Sequence, residues 1–485
     1  MHKASVLVSA LLLSACAVGP NYQKPFFSLP DHWPWQQDVA KHPDVKRTDT
    51  VSRDWWQDFK DPALNAVIDE GRKNNADLVI AAARVAQARA LLSTRQSDLY
   101  PSLDVQGGAT RTSRSQEATI SGFPASSKPF NDINLAAVLN YELDLWGRLR
   151  RANESGRAAL LAEESNREAV RLAVTSDIAQ GYFNLRALDA QIDVTDDTIK
   201  TRREALKFQE TQYRLGGANG LAYRQAEAEL AAAEAQMPQL EQARAEQESA
   251  LAVLLGRSPK DIIEGKVKTG KSIDALPASP LLPTNLPSTL LERRPDIAAA
   301  ELDLVSANAD IGVARADYFP RVSLTALLGL ASSDADRLLR SSARNWQAGA
   351  TFSGPLLNAG RTRAGIAAAE GRRDEALANY QQTVRNAFKQ VMDSLSAEKT
   401  SAAREKAQTA QMNARNETVR LSQLRYKSGY SDYLEVLDAQ RSLFSARLER
   451  INARRDRLTS AVNLYKALGG GWSPDKRIVK ATKGK

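Results

Sequence analysis

Three histidines, His2, His32 and His42, and one cysteine, Cys16, make up the chain's whole stock of imidazole and thiol. All four lie near the N-terminus, so residues 43–485 contain neither group. That body can run no imidazole base chemistry, hold no His-ligated metal or zinc cluster and close no internal disulfide. Carboxylate pairs need no histidine, but no phosphate-cradling loop or cofactor motif accompanies the acids. The acids whose placement forms a pattern lie just past a turn, in Tyr426–Gln440, YKSGYSDYLEVLDAQ. Leu434 and Asp438 are four residues apart and share a helix face, with Glu435 beside them. Most helical acids are solvated or ion-paired surface groups, and the bland reading of Glu435 and Asp438 is that they are too.

The elements around that stretch are helices. Ala- and charge-rich pattern runs into it from Arg361 and out of it to Leu468, and Gly429 with Ser431 and Asp432 breaks the pattern. Glycine supplies a left-handed C-terminal position and Ser or Asp an N-cap, so the stretch is the turn of a long helical hairpin. A second turn lies at Tyr213–Gly220. Tyr213 and Tyr426, Gly216 and Gly429, and Ala226 and Ala439 are each 213 residues apart, which marks an internal duplication.

Each copy reads as helix, β-hairpin, very long helix, turn and return helix. The first copy spans 61–257, with a hairpin at about 102–146, a long helix over 148–215 and a return over 221–255. The second spans 291–470, with a hairpin at about 321–357, a long helix over 361–428 and a return over 432–468. Asp61-Pro62 opens a helix expected to run to about Asp98, before Tyr100-Pro101. In Asp132–Gly147, Ile133, Leu135, Ala137, Leu139, Tyr141, Leu143 and Leu145 alternate with more polar residues, the period of a strand. Ile178, Leu185, Ile192, Ile199, Leu206 and Tyr213 recur at intervals of seven, the spacing of helices packed along their length. Pro238 predicts a kink or break in the first return helix. A Pro-rich linker, 258–290, joins the copies, and the basic end of the C-terminal tail 471–485 is expected to be disordered.

Residues 1–15 have a basic start, a short apolar run and small residues, the layout of a secretory signal rather than a membrane span. Leu13-Ser14-Ala15-Cys16 resembles the bacterial lipobox, in which the cysteine becomes the lipidated mature N-terminus. Residues 16–60 form an extended arm, pinned by Trp55, Trp56 and Phe59. The net charge of +9 is spread along helices and alternates with acids, which argues against a nucleic-acid partner.

Four strands cannot close a barrel, and open strand edges are not tolerated in a bilayer, so several chains must supply one transmembrane barrel. The alternative is a helical lipoprotein scaffold or adaptor without a pore, yet adaptors carry one helical hairpin flanked by soluble β-domains. An enzyme is the third class, and the residue inventory speaks against it.

Tyr426–Phe444 resembles the second tip turn of TolC-like outer-membrane efflux proteins, the lipoprotein branch that partners resistance–nodulation–division pumps. Trp55-Trp56, Tyr141–Arg148, Leu291–Ile297 and Leu468–Trp472 are similar to further marks of that branch. The resemblance spans the mature chain. It implies an α+β membrane protein: a homotrimer with a twelve-stranded transmembrane β-barrel, four strands per chain, continuous with a periplasmic α-helical barrel and wrapped by a mixed equatorial domain. It implies a passive drug exit duct in the outer membrane lipid, fed by a periplasmic adaptor and an inner-membrane pump, with no cofactor. Leu434, Glu435 and Asp438 would line the periplasmic gate, where three-fold symmetry turns each into a ring. Tyr213, Arg214, Leu215 and Gly216, with Tyr426, Lys427, Ser428 and Gly429, would dock the adaptor. Ser431 stands where related proteins often have a basic residue, so the gate latch is expected to use other partners, such as Arg214 or Lys427. Four methionines weigh weakly against copper or silver export.

Overall fold

A computed structural model describes residues 17–29, 47–48, 51–113, 115, 119–120, 123–124, 128–217, 219–277, 282–283 and 290–482. The signal segment 1–15, Cys16 and residues 30–46 of the arm lie outside the described residues. Helices α1 (Pro62–Asn74) and α2 (Ala76–Ser97) lead into strands β1 (Ser102–Thr112) and β2 (Phe130–Leu143). Helix α3 (Arg148–Arg214) and its return α4 (Gly220–Leu254) follow. The order then repeats as α5 (Pro295–Ala316), β3 (Arg321–Ser332), β4 (Arg344–Ser353), α6 (Arg361–Lys427) and α7 (Tyr433–Ala467), and a short α8 (Lys476–Thr482) ends it.

Both long helices have 67 residues and both returns have 35, so the duplication is conserved to the residue in length. At 1.5 Å per residue each long helix spans roughly 100 Å. Helices of that length are held by packing rather than propensity. Ile178 and Leu185 of the seven-residue series are fully buried, whereas Tyr213 at its far end is half-exposed, so the core thins toward the turn.

The four strands form one antiparallel meander in the order β1–β2–β3–β4. Val105 lies opposite Ala137, Ala137 opposite Leu328 and Leu328 opposite Trp346, so these residues share one face. Val105, Leu328 and Trp346 on that face are 69–78% exposed, and Leu103 and Phe352 share their exposure. A sheet face this apolar and this bare suits lipid. No helix among the described residues is long and apolar enough to cross a membrane.

Midway along the helices, Trp55, Trp56 and Phe59 plug a core built from α1, α3, α4 and α7. Trp55 stacks on Tyr465 at 5.1 Å, and the Arg72 guanidinium covers Trp56 at 4.9 Å. Tyr182 donates to Asp61 at 2.6 Å and accepts from the Gly270 N–H at 2.9 Å, with burial the main cause of a raised phenol pKa. Arg454 of α7 binds Glu405 of α6 at 2.9 Å and the carbonyl oxygens of Ile273 and Leu276, which ties the linker to the second hairpin. Residues 17–29 run from the joint between sheet and helices along α5 and α6. There the Val18 N–H donates to the Trp146 carbonyl at 3.0 Å, and Tyr22 and Lys24 donate to buried Glu301 at 3.1 and 3.0 Å.

Three expectations need correction. The helix from Pro62 to about Asp98 is two helices: Asn75 turns extended, and its side chain caps α2 by accepting from the Asp77 and Leu78 N–H groups. Pro238 does not break α4, which runs unbroken from Gly220 to Leu254. A proline removes only one ladder bond, and Ala233 and Leu240 are packed on either side of it, so the helix continues through it. The basic tail is ordered over Lys476–Thr482, where Trp472 and Ile478 bury against Leu161, Ala162, Ala298 and Leu302. Its charges face outward, and Arg477 pairs with Asp475 and Glu164.

Candidate functional site at the hairpin tips

The two turns are built alike. At the first, Gly216 takes φ +74° and its N–H returns to the Tyr213 carbonyl at 3.1 Å, while Asn219 caps α4 through the Ala222 N–H. At the second, Gly429 takes φ +75° and its N–H returns to the Tyr426 carbonyl at 3.0 Å. Asp432 occupies the N-cap position of α7, but its side chain makes no cap hydrogen bond. Nothing lies within 4 Å of where a Cβ would stand on either glycine, so the left-handed backbone, and not crowding, requires glycine there.

Arg214, Leu215, Gly216, Lys427, Ser428 and Gly429 are all exposed. Tyr213 is half-exposed and stacks on Tyr223 at 5.8 Å, and Tyr426 leans on Tyr433 at 5.4 Å while accepting from Gln209 at 3.0 Å. The first turn of α7 divides by helical period. Tyr433, Val436 and Leu437 point inward against Ala226, Ala222 and Leu206, so the two return helices pack together at the tip. Leu434, Glu435 and Asp438 point outward and are exposed, side by side as expected. Burial, then Tyr426 and Glu229, pushes the Tyr433 phenol up to about 12.

Charge at the tip is organised around a residue the sequence reading missed. Glu229 of α4 is buried between Arg202 of α3, at 3.2 Å, and Arg441 of α7, at 2.5 Å. Arg202 also donates to the Glu229 carbonyl at 2.6 Å and lies 5.5 Å above the Phe444 ring. Burial lowers the pKa of Arg202, with Glu229 opposing, whereas the hydrogen bond to Glu229 raises that of Arg441. Arg441 reaches Asp438 at 3.5 Å, and Arg425 pairs with Glu435 at 3.3 Å. The ion pairs described at the tip thus involve Arg202, Arg425 and Arg441, with Arg224 paired to Glu227 at 2.7 Å beside them. A signal existed: the repeat-equivalent positions of Glu229 and Arg441 are Ser442 and Ala228, so the duplication breaks at both.

Paired helical hairpins whose long helices span about 100 Å, a small sheet with a lipid-suited face and exposed tips bearing acids define an outer-membrane channel component of an efflux pump. The chain belongs to the outer membrane efflux protein family, whose profile matches residues 67–257 and 286–470. Among its relatives, the solvent efflux pump outer membrane protein SrpC of Pseudomonas putida is 36% identical over 472 residues, spanning 97% of this chain and 98% of that one. The cation efflux system protein CusC of Escherichia coli O6:H1 is 34% identical over 466 residues, spanning 96% and 97%. The solved outer membrane channel CmeC of Campylobacter jejuni superposes with a TM-score of 0.86 at 27% identity, over 96% of this chain and 98% of that one.

Proposed function

We propose that three copies of the chain form the exit duct of a tripartite efflux pump. Each protomer supplies four strands to a twelve-stranded barrel and two helical hairpins to a periplasmic α-barrel. The observation that carries this reading is the sheet itself: one bare apolar face and two outer edges, β1 and β4, without a partner strand among the described residues. A bilayer tolerates such edges only when they are paired, and copies of the same chain supply the partners. The duct is passive; an inner-membrane resistance–nodulation–division pump supplies energy through a periplasmic adaptor. Drugs, solvents and other small toxic compounds are the cargo class, in keeping with relatives named for solvent and cation efflux.

The gate is the first turn of α7. Three-fold symmetry would turn Leu434 into an apolar ring and Glu435 and Asp438 into acidic rings, and α7 would swing outward by breaking its Arg441–Glu229 contact. Gly216 and Gly429 shape the tips that meet the adaptor. Cys16, outside the described residues, carries the lipid anchor. Val18 is held at the foot of the sheet by Trp146, which supports an acyl chain entering the membrane beside the barrel.

The test is dye accumulation in cells lacking their own exit ducts. With the cognate adaptor and pump present, the chain should lower accumulation several-fold, and should do nothing without them. Unchanged accumulation with all three components in place would remove the exit-duct reading.

A further inference from the structure

The duplication carries information about contacts that one chain cannot make alone, given the proposed ring of three copies on which this inference rests. The first hairpin pairs Ser102 with Asn140, and the second pairs Arg321 with Ser353. In the sequence, Phe319-Pro320 lies 219 residues beyond Tyr100-Pro101, and Gly360-Arg361 lies 213 beyond Gly147-Arg148. Moving β1 by the first offset and β2 by the second converts the one pair into the other. The two hairpins therefore share one register, to the residue.

Between them runs a seam, β2 against β3, that joins a strand of the first copy to a strand of the second. In it Val138 faces Leu327, Leu139 faces Ala326 and Leu143 faces Val322. A ring needs one more kind of seam, β4 against β1 of the next protomer. Those strands are the repeat equivalents of β2 and β3. The same offsets therefore carry the observed register across. We propose that neighbouring protomers join in this register: Thr351 opposite Gly108 and Phe352 opposite Gly107 of the next protomer.

Side-chain shape, a separate observation, favours the same register. Phe352 is 72% exposed in the single chain, and the space beside Gly107 is bounded only by Leu135 Cδ1 at 3.5 Å and Asn134 O at 3.8 Å. A ring laid over a glycine on the facing strand covers bare backbone and fills the notch. A one-residue slip would set the apolar face against the polar one. A two-residue slip keeps the faces but places Phe352 against Val105 or Ala109 and leaves the glycine notch empty.

Paired cysteines in the full-length chain, oxidised in isolated outer membranes, test this. The predicted pairs are Thr351→Cys with Gly108→Cys and Phe352→Cys with Gly107→Cys. Adjacent antiparallel pairs alternate between narrow and wide, so one of the two brings its Cβ atoms within disulfide reach. The controls are the two-residue slips: Thr351→Cys with Gln106→Cys or Thr110→Cys, and Phe352→Cys with Val105→Cys or Ala109→Cys. Reductant-sensitive dimer and trimer bands several-fold stronger for a predicted pair than for any control are expected. A control pair that links more strongly overturns the register and leaves the ring standing. No band from a chain still trimeric on native gels also overturns the register alone, whereas no band from a monomeric chain removes the ring with it.

Discussion

Glu229 touches a buried cation and an exposed one, and the two contacts carry unequal weight. Arg202 is as buried as Glu229, while Arg441 is about half exposed and water screens it. Replacing Glu229 with Gln strands the Arg202 charge in the helix interface, at a cost on the order of 3–5 kcal/mol. Replacing Arg441 with Ala leaves Glu229 its inner partner and should cost about 1 kcal/mol or less. Thermal melts of the purified chain should rank the two in that order, and equal melting losses would contradict it. Glu398 of α6 offers a second residue-scale prediction. Burial pushes its carboxyl up to about 7 from an ordinary 4.5, against the Ser460 hydroxyl and Arg457 and with help from Glu405. Between those values the folded chain holds a proton that the unfolded chain has released, so stability falls as pH rises from about 4.5 to about 7. Glu398→Gln should flatten the dependence of melting temperature on pH over that window. A slope unchanged in the variant would assign it to other groups.

At the scale of elements, the tip turns depend on backbone conformation more than on contact. Since open space surrounds Gly216 and Gly429, a side chain there meets no neighbour, and the left-handed backbone costs about 1–2 kcal/mol. Gly429→Gln and Gly216→Gln chains should fold and assemble as the natural chain does, yet fail in efflux because the docking tip is reshaped and obstructed. Efflux at the natural level from either variant would remove these turns from adaptor docking. The turns were legible because glycine at a helix end has few other uses, and the hairpins because one spacing of seven persists along α3. Strand alternation was legible for the same reason. The break at Asn75 was not, since Ala-rich helical pattern continues on both sides and only the capping bonds to Asp77 and Leu78 disclose it. Pro238 misled because its cost is local, while a 35-residue helix packed along its length draws support from many turns. The tail misled because its lysines hide Ile478, which docks it together with Ala481 and the preceding Trp472. The Glu229 cluster joins the neighbouring helices α3 and α4 to the distant α7, and only the break in the duplication at Ser442 and Ala228 hints at it in the sequence.

At the scale of the whole molecule, one chain is an unfinished object: a sheet whose two outer edges have no partner strand among the described residues, an apolar face and acids presented outward at the far tip. Three copies would finish it, with a lipid-facing wall above and a ring of Asp438 and Glu435 side chains below, where crowded negative charge would draw cations in. The most direct measurement is single-channel conductance of the purified protein in planar bilayers, natural chain against Asp438→Ala. The account predicts a small, cation-selective conductance that rises or loses selectivity in the variant. Identical conductance and selectivity in the two would remove Asp438 from the gate, and membrane-inserted trimers of either form that never conduct, even when α7 is freed by Arg441→Ala, would contradict the duct itself.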